Sequence, residues 1–244
     1  MKIALICALS ALTLWGDVYA TFESSALREA SLGMNASGIV KRVTVQTGDH
    51  VKNGAHLLEL DNTEEKLSLQ MAKADLATLT KECAFLSDQY ARYEKSAQVF
   101  DKNTLDKLKM ELDTKLSQRE RARLGVALYQ QKLSKMVLSA PFAGSIAEKN
   151  IETGDMVSSM GGAPLFKLLS DQTKLLLQYD SKFASQVKIG DHFCLSLDGK
   201  ATGRCSKITK IYPSVNSKTR QMTAEASGSN LRPGTFGDGF IQSK

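Results

Sequence analysis

The sequence is poor in the residues that build reactive centres. It holds three histidines, four cysteines and one tryptophan in 244 residues. His50, His56 and His192 share no metal-ligand spacing, and no nucleophile, base and orienting group fall into a catalytic pattern. Metal, cofactor and enzyme readings therefore find no support. Aromatic residues make up only 7% of the chain. None is interleaved with arginine as in nucleic-acid stacking modules, so no nucleic-acid partner is expected. Proline is also scarce, with four in all. None of them falls between Asn62 and Lys135, where Gly125 is the one glycine. Nothing in that stretch would break a helix.

Long hydrophobic runs are missing after Trp15. The run from Ile3 to Trp15 follows Lys2 and precedes the small-x-small pair Val18 and Ala20. This is the grammar of an export leader, with cleavage expected after Ala20. Cys7 stands too early in the run for a lipoprotein attachment site, so no lipid anchor is expected. The formal net charge is +6, and losing Lys2 and Asp17 with the leader leaves it unchanged. The cations are spread among acids, as on a solvated helix surface.

What is present is a long heptad region. From the capping signal Asp61-Asn62-Thr63-Glu64, apolar or small residues recur at Leu69, Ala72, Leu76, Leu79, Cys83, Leu86, Tyr90, Tyr93 and Ala97. Steps of three and four are the spacing of a coiled-coil seam. A second capping signal at Asn103 and Asp106 opens a second series through Leu105, Leu108, Leu112, Ala122, Val126, Tyr129, Leu133 and Met136. Lys115 and Arg119 interrupt that stripe and should loosen it. Two helices of similar length joined by a short polar turn fold most simply as an antiparallel hairpin.

The flanks of this region repeat one another. Ser37-Gly38-Ile39-Val40 leads to Gly48-Asp49-His50-Val51, and Phe142-Ala143-Gly144-Ser145-Ile146 leads to Gly154-Asp155-Met156-Val157. A repeat on both sides of a helical insertion points to one small β unit split in two. Gly38, Gly48, Gly144, Gly154 and, further on, Gly234 are expected at turns. From Thr173 the texture becomes that of a small β-barrel, with a short helix over Ser181 to Val187. Cys194 and Cys205 flank a turn between two adjacent strands. They either form a cross-strand bridge or remain as two buried thiols.

The expected architecture is thus α+β, elongated and multidomain. A leader spans 1–20 and an arm or strand 21–36. A split sandwich takes 37–61 and 139–170, the hairpin 62–138, and the barrel 171–244.

These motifs, in this order, resemble the periplasmic adaptor or membrane fusion proteins (HlyD-like) of tripartite efflux pumps. The split repeat looks like the family's lipoyl-like domain. Pro213-Ser214-Val215-Asn216-Ser217-Lys218-Thr219-Arg220 and Leu231-Arg232-Pro233-Gly234-Thr235-Phe236 are similar to its barrel signatures. The resemblance implies a homo-oligomer, hexameric in the family, that links an inner-membrane transporter to an outer-membrane channel of TolC type. The cargo would be drugs, bile salts or other amphiphiles, and the location the periplasm, in association with the cell envelope. It implies a transporter of the resistance-nodulation-division class first, with an ATP-driven exporter, a secretion system or a metal-efflux pump as alternatives. A self-assembling coiled-coil protein is a more distant reading. The partner-binding residues would be Arg92, Ser96, Asp101, Lys102 and Asn103 at the hairpin tip. The family's Arg, Leu and Ser pattern is matched at Arg92, while position 96 is Ser in place of Leu. The resemblance also implies that most of the membrane-proximal domain is missing.

Overall fold

A computed structural model describes residues 17–95, 101–160, 162–197, 200–228 and 231–242. The chain divides into two units. One combines the N-terminal strand with Leu169–Lys244, and the other is Ser31–Leu168.

The first unit is a closed barrel with strand order β1-β10-β13-β12-β11-β14. Its strands are β1 (Val18–Ala26), β10 (Thr173–Asp180), β11 (His192–Leu197), β12 (Lys200–Asn216), β13 (Gln221–Ser227) and β14 (Phe236–Gln242). In β1, every second residue from Val18 to Ala26 points inward, the period of two that a sheet with one enclosed face requires. Phe22 and Phe193 cross edge-to-face at 5.7 Å in the interior. They have room because β14 carries glycines: a Cβ on Gly239 would lie 2.7 Å from the Phe193 ring, and one on Gly237 2.8 Å from Phe22. Cys194 and Cys205 stand directly opposite on β11 and β12 and are joined by a disulfide.

Two expectations change here. The barrel does not begin at residue 171, because β1 pairs with both β10 and β14 and closes it. Residues 21–36 are therefore no separate arm: Thr21–Ala26 belong to that strand, and β2 (Glu29–Leu32) to the second unit's sheets. The short helix after β10 is a single 3-10 turn at Ser181–Phe183, capped by the Asp180 carboxylate accepting from Lys182 N–H.

The second unit contains two four-stranded sheets, β2-β9-β7-β4 and β6-β5-β3-β8. They are built from β3 (Gly38–Val43), β4 (His50–Val51), β5 (His56–Leu60), β6 (Val137–Ser139), β7 (Gly144–Lys149), β8 (Met156–Val157) and β9 (Phe166–Ser170), with β2 at one edge. Between them lie Val40, Leu57, Leu58, Leu60, Ile146, Phe166 and Leu168, all at most 1% exposed.

The internal repeat becomes a reciprocal exchange. Gly48 N–H donates to Ile146 O, and Ile146 N–H to Asp49 O; Gly154 N–H donates to Val40 O, and Val40 N–H to Asp155 O. Gly48 and Gly154 have φ of 93° and 97°, a region that L side chains rarely occupy. Each following aspartate accepts from a backbone N–H three residues back, Asp49 from Gln46 and Asp155 from Glu152. Gly234 also turns with positive φ. Gly38 and Gly144 do not: they open β3 and β7, where they pair with Val157 and Val51. No left-handed backbone is needed there.

Candidate partner-docking site on the helical hairpin

The sandwich sends out α1 (Thr63–Lys95) and receives α2 (Lys102–Ser134), each 33 residues long and so roughly 50 Å. The root is held by polar contacts. The Asp61 carboxylate accepts from Thr63 N–H and from its hydroxyl, which satisfies first-turn donors. Glu59 accepts from Asn62 Nδ2 at 2.9 Å and from Arg42 Nη2 at 3.1 Å, with Lys66 Nζ at 3.7 Å. The Asn62 hydrogen bond is the main cause holding the Glu59 carboxyl below its usual range, and Lys66 and Arg42 add to it. Leu60 N–H donates to Met136 O, so the two ends of the insertion are adjacent.

Along the arm the inner stripe of each helix matches the heptad reading. Leu69, Cys83 and Leu86 are buried from α1, and Leu108 and Val126 from α2. Lys115 and Arg119 interrupt the stripe as expected: among the described residues no α2 side chain between Leu108 and Val126 is buried, and the Lys115 ammonium instead reaches Glu82 of α1 at 2.6 Å. Beside the small seam residues Ala72 and Ala122, with Gly125 next to them, an open groove of about 570 Å³ runs between the helices.

At the tip, Arg92 and Lys95 occupy the last turn of α1, where cations face the negative end of the helix dipole. Asp101 is the N-cap of α2, in extended backbone and without a side-chain cap bond. Helix two thus begins at Lys102, earlier than the capping signal at Asn103 implied, and Lys102 and Asn103 lie exposed in its first turn. The antiparallel arrangement brings Arg92, Asp101, Lys102 and Asn103 to one end of the molecule's arm. Ser96 lies outside the described residues.

Among the described residues, six large apolar side chains of the hairpin lie off the heptad stripe: Leu67, Met71, Phe85, Met110, Leu124 and Leu128 are each 55–69% exposed. Their signal in the sequence was large apolar residues out of phase with the stripe. Among the described residues there is no cluster of His, Cys, Asp and Glu that could hold a metal ion. No helix among them is long and apolar enough to cross a membrane.

This arrangement has known counterparts. The domain described as CzcB-like, barrel-sandwich hybrid matches residues 28–166, more than half of the chain. The macrolide export protein MacA of Yersinia pestis is 25% identical over 66% of this chain and 48% of its own length. The cation efflux system protein CzcB of an Alcaligenes strain is 26% identical over 82% of this chain and 40% of its own. The chain thus spans about half the length of the curated relatives it matches. Among solved structures, MacA from Actinobacillus actinomycetemcomitans superposes with a TM-score of 0.75 over 92% of this chain and 78% of that one, at 21% identity. With its split sandwich, inserted hairpin and barrel, the chain belongs to the CzcB-like barrel-sandwich hybrid family of periplasmic adaptor or membrane fusion proteins.

Proposed function

We propose that several copies of this chain link an inner-membrane transporter to a TolC-type outer-membrane channel, with the hairpin tip as the channel contact. The observation that carries this reading is the hairpin itself. A pair of 33-residue antiparallel helices projects from the sandwich and ends in polar, exposed groups. Such an arm buries too little of its own surface to be explained as a core element. It gives reach and presents charge-assisted hydrogen-bonding groups at its end.

The transporter in this proposal is of the resistance-nodulation-division class, on the strength of Arg92, and the cargo is amphiphilic. The likeness to a macrolide export protein supports an amphiphilic cargo. A second reading, metal-ion efflux, draws on the likeness to a cation efflux protein across 82% of the chain.

The test replaces Thr63–Ser134 with a short glycine-rich turn, which the adjacent root positions allow. A strain lacking the chain should become sensitive to bile salts and macrolides. The complete chain should restore resistance and the hairpin-free chain should not. Restoration without the hairpin would sink the bridge. Sensitivity confined to divalent metals would replace the amphiphile reading with the metal one.

A further inference from the structure

The two broad sides of the hairpin are unlike. One carries the groove, walled by Asp75 and Thr78 from α1 and by Gln118, Arg121 and Gly125 from α2. The Lys115–Glu82 contact sets the levels of the antiparallel helices. Arg121 then stands within one residue of the level of Asp75, Leu128 within two of Met71, and Met110 within two of Phe85. Residues one heptad apart share a line along a coiled-coil helix. Met71 and Phe85 therefore continue the line of Thr78, and Leu128 the line of Arg121. Leu67, Leu124 and Met110 lie one step round, on the outer edges of the hairpin. The opposite broad side has no exposed large apolar residue among the described ones. It carries Lys66, Lys73, Lys109, Asp113 and the Glu120–Arg123 ion pair.

We propose that the groove side docks on the same side of a second copy, the two hairpins lying parallel and face to face about a two-fold axis. Such an axis sets α1 of one copy against α2 of the other at equal levels. The contacts then match along the whole side. Met71 meets Leu128 of the other copy, Phe85 meets Met110 and Thr114, and Asp75 meets Arg121. Each contact occurs twice, as a two-fold interface requires. Asp75 and Arg121 are exposed, and neither has an ion-pair partner among the described residues. The hollow beside Ala72, Ala122 and Gly125 leaves room for side chains of the facing copy.

Towards the tip the same two lines carry Arg92 and Lys107, both exposed. Facing copies repel there, which keeps the tips apart and open to other contacts. The matched stretch, from the level of Leu67 to that of Met110, is about 30 Å long and two helices, about 20 Å, wide. It would bury about 600 Å² per copy, roughly 1,200 Å² in all, the lower end for a specific interface. The pair should therefore be reversible and depend on concentration. In a ring each copy meets its neighbours through two unlike sides, whereas this pair uses one side twice. It is independent of what the tip docks on.

The test is sedimentation velocity of the full chain and of its Asp75→Arg and Arg121→Asp variants. The unchanged chain should pair as its concentration rises. Each variant alone brings like charges together across the axis and should pair at least about tenfold more weakly. Mixing the two variants should restore pairing, because opposite charges then face each other at both positions. Both should keep the helical signal at 222 nm, since the changed positions are exposed. Self-association that is absent in the unchanged chain, or untouched in the single variants, would overturn the pair. So would variants that stay apart when mixed. Cross-linking tests the geometry without changing a charge. Chains with Met71→Cys and with Leu128→Cys, both carrying Cys83→Ala, should link to each other under a mild oxidant. Lys73→Cys and Glu120→Cys chains, on the opposite side, should not. Linking that favours the opposite side would contradict the proposed face.

Discussion

The barrel and the hairpin bury their side chains in different ways. Ala20, Leu175, Leu177, Phe193, Ile208 and Ala224 are completely enclosed in the barrel, while Leu69, Leu86, Leu108 and Val126 on the hairpin seam remain 7–9% exposed. A closed sheet surrounds its interior on all sides, and a disulfide between neighbouring strands restricts its unfolded chain further. Two paired helices have one seam between them and water everywhere else. The barrel therefore holds its own stability. The hairpin trades burial for length, and gains from any partner that covers its exposed faces.

The comparison breaks first at Gly239. Its Cβ would stand 2.3 Å from the Cys194 carbonyl oxygen, so Gly239→Val should cost about 3 kcal/mol or more. Near-ultraviolet circular dichroism should lose the barrel while the helical signal at 222 nm persists. Joint loss of both signals would mean that the two regions fold as one.

A paired truncation sharpens it. Phe193→Ala should cost about 3–5 kcal/mol and Leu86→Ala about 2 kcal/mol, the low end for a leucine whose cavity opens to solvent. Urea unfolding followed by separate probes would measure both, and equal costs would contradict the difference in enclosure.

Acid titration should act on the barrel more gently. Glu225 accepts from Lys174 Nζ at 2.7 Å and from Tyr212 Oη at 2.6 Å, and the Lys174 bond is the first cause of its lowered pKa. A depressed folded pKa gives stability that is complete above the unfolded value, about 4.3, and is lost as pH falls through the folded one. The barrel's melting temperature should therefore drop below about pH 4–5, and Glu225→Gln should flatten that slope.

Lys115→Leu is the smallest change. It exchanges an ion pair that solvent partly screens for seam packing, so the hairpin's melting should hold or rise slightly, with no change in the barrel. A clear loss would assign the Glu82 pair a larger role than its exposure allows.

The hairpin was legible because its signal is local. The 3.5-residue repeat runs through Leu69 to Tyr93 and needs no knowledge of a partner. The split sandwich was legible because its two halves repeat Gly-Asp turns with the same hydrogen bonds. Other features depend on contacts across the chain. Val18-Tyr19-Ala20 fits both a cleavage site and a strand, and its pairing with β10 and with β14, the latter more than two hundred residues away, makes it a strand. Lys115 is legible as a break in the stripe, while its partner Glu82 comes from the other helix and is not. Gly38 and Gly144 share the repeat with Gly48 and Gly154, yet only the glycines preceding aspartate need a left-handed backbone. The tip residues Arg92, Asp101, Lys102 and Asn103 converge as the hairpin requires, while nothing in their local pattern names the partner.

The most direct test of the bridge is cross-linking in living cells from the tip. Lys102→Cys is introduced with Cys83→Ala, leaving the Cys194–Cys205 bond in place. Adducts are identified by mass spectrometry. An adduct with an outer-membrane channel protein is the predicted result. Adducts only between copies of this chain, in cells where the variant still restores resistance, would contradict docking at the tip.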